Sequence, residues 1–270
     1  MRKAIWWAIA IFGAGVFALI FYLAWQKTQP APPSPSAPPA AAPAAPAPSA
    51  EPAIRYPIQD ERKKEPLPAL NESDPAMKEA LGSVWDAKAL EQFFQLKDFI
   101  RRAVATIDNL PRSKVALRIV PVTRAAGPFL TAGKDASLAV SPDNAARYAP
   151  YVRLADAVDA RKLVALYVRH YPLFQQAYQE LGYPKGYFND RLVEVIDHLL
   201  AAPEVKAPVR LVRPKVFYLY ADPELEARSA GQKILMRVGS ENAARLKAKL
   251  RELRGELTRE GPNAQERATR

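Results

Sequence analysis

Residues 167–198 read YVRHYPLFQQAYQELGYPKGYFNDRLVEVIDH, and this stretch decides the fold. Apolar side chains recur at helical spacing on both sides of a short loop, residues 182–188, which holds two glycines and three aromatic residues. The first glycine of the loop is expected to end the first helix. Asn189 and Asp190 are placed to cap the second helix, over residues 190–201. We therefore predict two helices joined by a tight turn.

Helical spacing also dominates the sequence around this stretch, from residue 67 to residue 257. Ser-Asp-Pro at 73–75 is typical of a helix start and predicts a helix through residues 76–85, and cap or proline signals recur further along. Pro172 is expected to mark a helix restart. Four short β-branched or aromatic runs predict strands: residues 115–120, 128–131, 209–212 and 216–220. We expect a mainly α globular domain of seven or eight helices with a few short strands.

A hydrophobic segment precedes this domain. Residues 4–25 form a run of 22 residues without a charge, which as a helix would span about 33 Å, enough for a bilayer core. The run is longer than the apolar region of a cleaved signal peptide, and Trp25 ends it where a small residue would be expected before cleavage. Arg2 and Lys3 precede it and Lys27 follows it, so the positive-inside rule favours a cytoplasmic N-terminus. We predict that residues 1–27 are a cytoplasmic stub and a transmembrane signal-anchor.

A proline-rich linker follows the predicted anchor. Of the 26 prolines in the chain, 13 lie within residues 1–68, and residues 28–53 are almost entirely Pro, Ala and Ser. Such a composition cannot form a packed core and favours extended polyproline II. We assign residues 28–66 to a disordered spacer and residues 258–270 to a disordered tail.

Composition limits the chemistry. The chain has no cysteine and two histidines, which excludes disulfides, thiolate metal sites and a cysteine nucleophile. No P-loop, G-x-G-x-x-G or G-x-S-x-G motif is present, and we predict no cofactor and no metal. The formal charge of +11 is concentrated at the two ends, with +6 in residues 201–270. Nucleic acid is a poor candidate partner for an exported domain.

Two groups of polar residues could carry chemistry. Glu194, Asp197 and His198 recur at helical spacing and are the candidates for catalysis; Glu194 and His198, four residues apart, could also hold a metal, although no second ligand pair accompanies them. The simpler interpretation is a polar helix face, with His198 near a helix C-terminus.

The second group lies in and just after the aromatic loop. Tyr183, Tyr187, Asn189 and Asp190 could form a binding lip, or the tyrosines could cover the core while Asn189 and Asp190 cap a helix.

The last predicted helix, residues 240–257, combines a leucine stripe with several basic residues. It could dock on the domain, pair with another helix, or attract anionic lipid or cell-wall polymer.

The run LFQQAYQELGYPKGYFNDRLVEVIDHLLAAPEV and the following VRPKVFYLYADPELEARSAGQKILMRVGSENAARLKAKLREL resemble a known family. The chain is similar, over about residues 66–255, to the bacterial domain of unknown function 3014 family. The resemblance implies a single-span envelope protein with a proline-rich linker, and it implies no activity, cofactor or catalytic residue.

These observations predict a bacterial inner-membrane protein with its N-terminus in the cytoplasm and its domain in the periplasm. We expect a non-enzymatic protein that contacts an envelope protein or peptidoglycan; the sequence sets no oligomeric state. The alternative is an enzyme, such as a hydrolase, that acts on an envelope polymer through residues 183–198.

Overall fold

The computed structural model describes residues 53–58 and 66–259, all of which belong to one compact unit, Glu51–Arg270. The predicted transmembrane anchor (1–27), most of the predicted linker (28–66) and residues 260–270 lie outside the described residues. Within the described residues, no helix combines the length and apolar character needed to cross a bilayer.

The described region is mainly α, as predicted. Its nine α-helices are α1 (Asp74–Gly82), α2 (Ala87–Phe93), α3 (Phe99–Asn109), α4 (Asn144–Asp156), α5 (Ala160–Glu180), α6 (Phe188–Leu200), α7 (Pro223–Glu226), α8 (Ala230–Arg237) and α9 (Ser240–Arg259). Two antiparallel ribbons pair β1 (Thr131–Ala132) with β2 (Ala139–Val140), and β3 (Leu211–Val212) with β4 (Leu219–Tyr220). Short 3-10 turns lie at Leu70–Glu72, Leu117–Ile119 and Asp135–Ser137.

Helix α5 runs without interruption through Pro172, where the sequence predicted a restart. A proline inside a helix removes one hydrogen bond and costs about 3 kcal/mol. Tyr167 and Tyr171 before the proline and Phe174 and Tyr178 after it are all buried on the same face. Their packing on both sides of the proline holds the helix together through this position.

The core is centred on α5, which packs against α3, α6 and α9. The Phe188 side chain is completely buried and stacks on Phe174, with ring centroids 6.1 Å apart and an interplanar angle of 10°. Tyr178 tilts against the same ring at 5.4 Å. Aromatic side chains from α5 and from the start of α6 therefore join the two helices that the sequence predicted.

Other element boundaries differ from the sequence predictions. The helical spacing of the apolar residues is broken at Phe94, which follows α2 and bridges to Val122. Asp74 accepts hydrogen bonds from the amides of Asp98 (2.7 Å) and Phe99 (3.1 Å), which fixes the new start at α3.

The predicted strand at 115–120 is instead a 3-10 turn, and the run at 128–131 contributes only to β1, which pairs with β2. The strands predicted at residues 209–212 and 216–220 are confirmed within narrower bounds, as β3 and β4, and the structure pairs them in one ribbon.

Candidate functional site

The N-terminus of α6 is positioned by the loop that precedes it. At Gly186, an added Cβ would lie 2.7 Å from Cε1 of Tyr178, so only glycine fits against the aromatic core. Gln175 on α5 holds the same loop: its Nε2 donates to the Gly186 carbonyl (2.7 Å), and its Oε1 accepts from the Phe188 amide (2.8 Å). The start of α6 is therefore fixed by a side chain of α5 rather than by the Asn-Asp cap that the sequence suggested.

Asn189 and Asp190 instead bind residues 53–58, which we call the docked segment. The two carboxylate oxygens of Asp190 accept hydrogen bonds from the consecutive amides of Arg55 (2.9 Å) and Tyr56 (2.8 Å). Asn189 Nδ2 donates to the Tyr56 carbonyl at 2.8 Å. Both partners are main-chain groups, so the side chains recognise an exposed peptide backbone.

Tyr187 extends this recognition further along the segment. Its hydroxyl oxygen accepts a hydrogen bond of 2.6 Å from the amide of Ile58. Tyr56 and Ile58 pack against the main core, and the guanidinium of Arg254 also hydrogen-bonds the Tyr56 hydroxyl. Four main-chain groups and two apolar side chains thus anchor the docked segment. Tyr187, Asn189 and Asp190 together form what we call the docking site.

The docked segment is part of the range, 28–66, that the sequence assigned to the spacer. The structure differs there because Tyr56 and Ile58 pack against the core, whereas Ile54 is 51% exposed. These two apolar residues, two positions apart in a polar stretch, are the sequence signal that could have placed the segment on the domain.

Buried hydroxyl groups surround the docking site. Asn189 is fully buried, and its Oδ1 accepts a hydrogen bond from the Tyr167 hydroxyl at 3.3 Å. Burial raises the pKa of Tyr167 well above its ordinary value, and burial with the hydrogen bond to Tyr187 does the same for the pKa of Tyr171. These tyrosines therefore stay neutral at physiological pH and act as hydrogen-bond donors. Asp190 lies in the first turn of α6, where the helix dipole favours a carboxylate, and it accepts hydrogen bonds from the docked amides.

Tyr183, the remaining candidate for binding, belongs to a separate network. Its ring stacks on Tyr178 at 4.6 Å, and its hydroxyl donates to the buried carboxylate of Asp108 at 3.2 Å. Asp108 also pairs with Arg191 (3.0 Å) and Arg112 (2.7 Å). Tyr183 therefore braces α3 against the aromatic loop, and its stacking and hydrogen bonds join it to this network rather than to the docked segment.

Electrostatics in this network follow from burial. Burial, reinforced by the nearby charge of Asp108, raises the pKa of Tyr178 to about 12. Partial burial of Arg191 disfavours its charged form, but the carboxylates of Glu194 and Asp108 outweigh that effect and raise its pKa. Asp108 is 1% exposed and is a central residue that the sequence analysis missed.

Each candidate catalytic residue has its own protein partner. Glu194, with its side chain 55% exposed, pairs with Arg191 at 3.0 Å. Asp197 receives two hydrogen bonds from Arg254, at 2.5 and 3.0 Å, and these raise the pKa of that guanidinium. His198 Nε2 lies 2.8 Å from the Ser229 hydroxyl. The three side chains point to three different neighbours and do not share one. Among residues 53–58 and 66–259, no three His, Asp or Glu side chains are grouped as metal ligands.

The basic residues of α9 are largely used inside the domain. Arg245 forms an ion pair with Asp156, and the buried Lys247 donates to the Ala202 carbonyl at 2.6 Å. Lys249 donates to the Val158 carbonyl at 2.9 Å. The sequence left three roles open for this helix: docking on the domain, pairing with another helix, or attracting anionic lipid or polymer. In the structure α9 docks on the domain, where it packs against α4, α5, α6 and α8.

The comparisons with known proteins bear on α3 to α9. A family model described as "Protein of unknown function (DUF3014)" matches residues 99–254, a range that includes the docking site but not the docked segment. No curated protein and no solved structure matches the chain. Because the matched range is more than half of the 270 residues, the chain belongs to the DUF3014 family.

Proposed function

We propose that this chain is a non-enzymatic, membrane-anchored interaction protein of the bacterial envelope. Its predicted anchor and linker would hold the helical domain in the periplasm, where the domain contacts an envelope protein or peptidoglycan. The docked segment is the observation that carries the proposal. Three of the four residues that the sequence offered as candidates for binding, Tyr187, Asn189 and Asp190, contact the backbone of residues 53–58 of the same chain, and this contact supports the proposal.

The position of the docked segment supports a role in which the linker holds the domain in place for contact with an envelope partner. Residues 53–58 directly follow the proline-rich stretch, so the linker is attached to the domain at the start of α6. The hydrogen bonds that hold the docked segment can break and re-form, whereas the polypeptide that enters the domain at residue 66 stays joined to it covalently. A force applied along the linker would therefore act on the domain at the start of α6.

The arrangement of Glu194, Asp197 and His198 favours binding over catalysis. General acid–base chemistry needs two titratable groups that face one substrate position, with environments that separate their pKa values. Here Glu194 is half exposed beside Arg191, and Asp197 is held by two nitrogen donors of Arg254. Each carboxylate is paired with an arginine, and Glu194 shares Arg191 with the buried Asp108.

Two measurements test the proposal. A reporter that is active only in the periplasm, fused at the C-terminus of the full chain, should be active; activity of a cytoplasmic reporter at the same position would overturn the orientation. Crosslinking in intact cells should then trap a specific envelope protein or peptidoglycan.

The enzyme alternative has its own test. The purified full chain is incubated with isolated cell wall, beside the variant Glu194→Gln/Asp197→Asn. We expect no release of soluble fragments by either protein. Release by the unchanged chain and none by the variant would reverse the proposal.

A further inference from the structure

The loop of the β3–β4 ribbon exposes apolar side chains. Val212, Val216 and Phe217 are 44%, 70% and 78% exposed, and Phe217 is the most exposed of the large hydrophobic residues in the described part of the chain. A single exposed apolar residue is ordinary, but Val212 at the end of β3 and Val216 and Phe217 in the loop that follows lie within six positions and form an exposed apolar tip.

The base of the ribbon is anchored, so this exposure belongs to a built element. Leu211 and Tyr220 are 5% and 3% exposed and pack with Met236 of α8. The Leu211 amide donates to the Leu138 carbonyl at 2.9 Å, which ties this ribbon to the other one. Tyr218 packs on Phe129, with ring centroids 6.0 Å apart.

Basic residues flank the apolar tip in the sequence. From residue 205 to residue 218 the chain carries four basic residues and no acidic one. All four are exposed, and within the described residues none of them forms an ion pair with a carboxylate. They are Lys206, Arg210, Arg213 and Lys215. The basic residues of α9 differ in this respect, because Arg245, for example, is paired with an aspartate of α4.

We propose that this loop is a binding surface for anionic lipid membranes. Val216 and Phe217 insert at the boundary between headgroups and acyl chains, while the lysine and arginine side chains reach the phosphate groups through their flexible stems. Segments that bind at the membrane interface combine residues such as phenylalanine with lysine and arginine. The exposed positive charges make the interaction specific for anionic lipid, because juxtamembrane lysine and arginine are attracted by the negative surface potential.

The small size of the patch favours a membrane over a protein partner. A stable protein interface buries about 800 Å² on each side. Three apolar side chains on one loop fall well short of a face of that size, but a bilayer needs no complementary shape and accepts a protruding tip. An acidic protein surface is the competing occupant, and the experiment below separates the two.

The proposal does not depend on the predicted anchor, since the exposed groups belong to the described domain. The chain has no cysteine, so Val216→Cys in the full chain carries a single environment-sensitive fluorophore at the tip. The labelled chain is kept in nanodiscs of neutral lipid and mixed with vesicles of phosphatidylcholine alone or with added phosphatidylglycerol. Leu181→Cys, at the exposed end of α5, is the label control.

We expect a blue shift and a several-fold rise in emission at position 216 with phosphatidylglycerol vesicles only, reversed by salt, and no change at position 181. Phe217→Ser and the triple variant Arg210→Gln/Arg213→Gln/Lys215→Gln should each lose most of the response. The triple variant Lys88→Gln/Lys97→Gln/Lys114→Gln, which removes the same charge from exposed positions elsewhere, should keep it.

Four results would overturn the proposal. These are no response to either vesicle, an equal response to neutral and anionic vesicles, an equal loss in both triple variants, and a response to polyglutamate without a response to lipid. The last would assign the loop to an acidic protein partner. Because vesicles are added from outside, failure here is independent of the reporter result that tests the orientation of the anchor.

Discussion

The carboxamide nitrogen of Asn189 donates a hydrogen bond of 2.8 Å to the carbonyl oxygen of Tyr56, a residue 133 positions earlier in the chain. Asn189 is fully buried while the segment is bound, so in that state its amide has the Tyr56 carbonyl as a partner and no contact with water. An unpaired buried amide costs about 1–3 kcal/mol. The docked segment therefore supplies the acceptor that the buried Asn189 amide needs at the start of α6.

Removing the acceptor at the docking site should release the docked segment. Asp190→Ala deletes both carboxylate oxygens that bind the Arg55 and Tyr56 amides. Hydrogen bonds to charged groups contribute about 1.5–3 kcal/mol each, so we expect amide exchange in peptides covering residues 53–58 to rise at least about tenfold, as measured by mass spectrometry.

The control for this variant is Glu79→Ala, which removes an exposed carboxylate on α1 and should leave exchange unchanged. Peptides from the middle of α6 should keep their protection in both variants. If the 53–58 peptides keep theirs in Asp190→Ala, the contacts of Asp190 do not hold the segment.

Two glycine substitutions should change stability in opposite directions. Gly186→Ala places a methyl group 2.7 Å from Tyr178 Cε1 and should lower the free energy of unfolding by about 1–3 kcal/mol. Gly255→Ala, inside α9 with no atom within 4 Å of the added Cβ, should raise it by about 0.5–1 kcal/mol. Urea unfolding of the two variants measures both changes, and a stable Gly186→Ala would show that the aromatic loop adjusts freely.

The buried carboxylate of Asp108 should matter more than its exposed partner. Asp108→Asn leaves Arg191, whose side chain is 20% exposed, without its buried charge partner, and we expect a loss of about 3 kcal/mol. Arg112→Gln removes a partner whose side chain is 54% exposed and should cost less than about 1 kcal/mol. Both losses are measured by urea unfolding. Equal losses in the two variants would contradict the central role of Asp108 in holding α3 against α6.

The start of α5 should make stability depend on pH. Hydrogen bonds from the Lys162 and Arg161 amides lower the pKa of Asp159 below its ordinary value of 3.8. A carboxyl whose pKa is lower in the folded state stabilises the fold above its unfolded pKa, and this contribution is lost as the pH falls through the folded value. Thermal unfolding across the acid range should therefore show a smaller loss of stability for Asp159→Asn, which keeps a cap acceptor but cannot titrate. An unchanged pH profile would contradict this role.

Local signals in the sequence are sufficient to predict a helix start when a residue next to the helix caps it. Asp159 and Asp222 accept hydrogen bonds from backbone amides at the N-termini of α5 and α7, the cap position that an aspartate just before a helical pattern indicates. Pro172 misled the prediction, because the cost of one proline is small beside the packing of four buried aromatic residues around it.

Three of the four candidate binding residues lie in the docking site, but the sequence did not indicate which groups they contact. Tyr187, Asn189 and Asp190 stood out by composition, yet their partners lie 129 to 135 positions away. No local pattern encodes a contact at that separation. Gln175 was not predicted for a similar reason. Its role depends on the Gly186 carbonyl and the Phe188 amide, which reach it only when α6 packs beside α5.

The docked segment also gives the spacer two lengths. With residues 53–58 bound, the described part of the chain meets the domain at the start of α6; with them released, it meets the domain only from residue 66. For the roughly 13 positions from residue 53 to residue 66, an extended chain of about 3.1 Å per residue would give an upper reach of about 40 Å. A pull along the linker that breaks four hydrogen bonds would thus move the domain outward in one discrete step, and relaxation of that pull would return it.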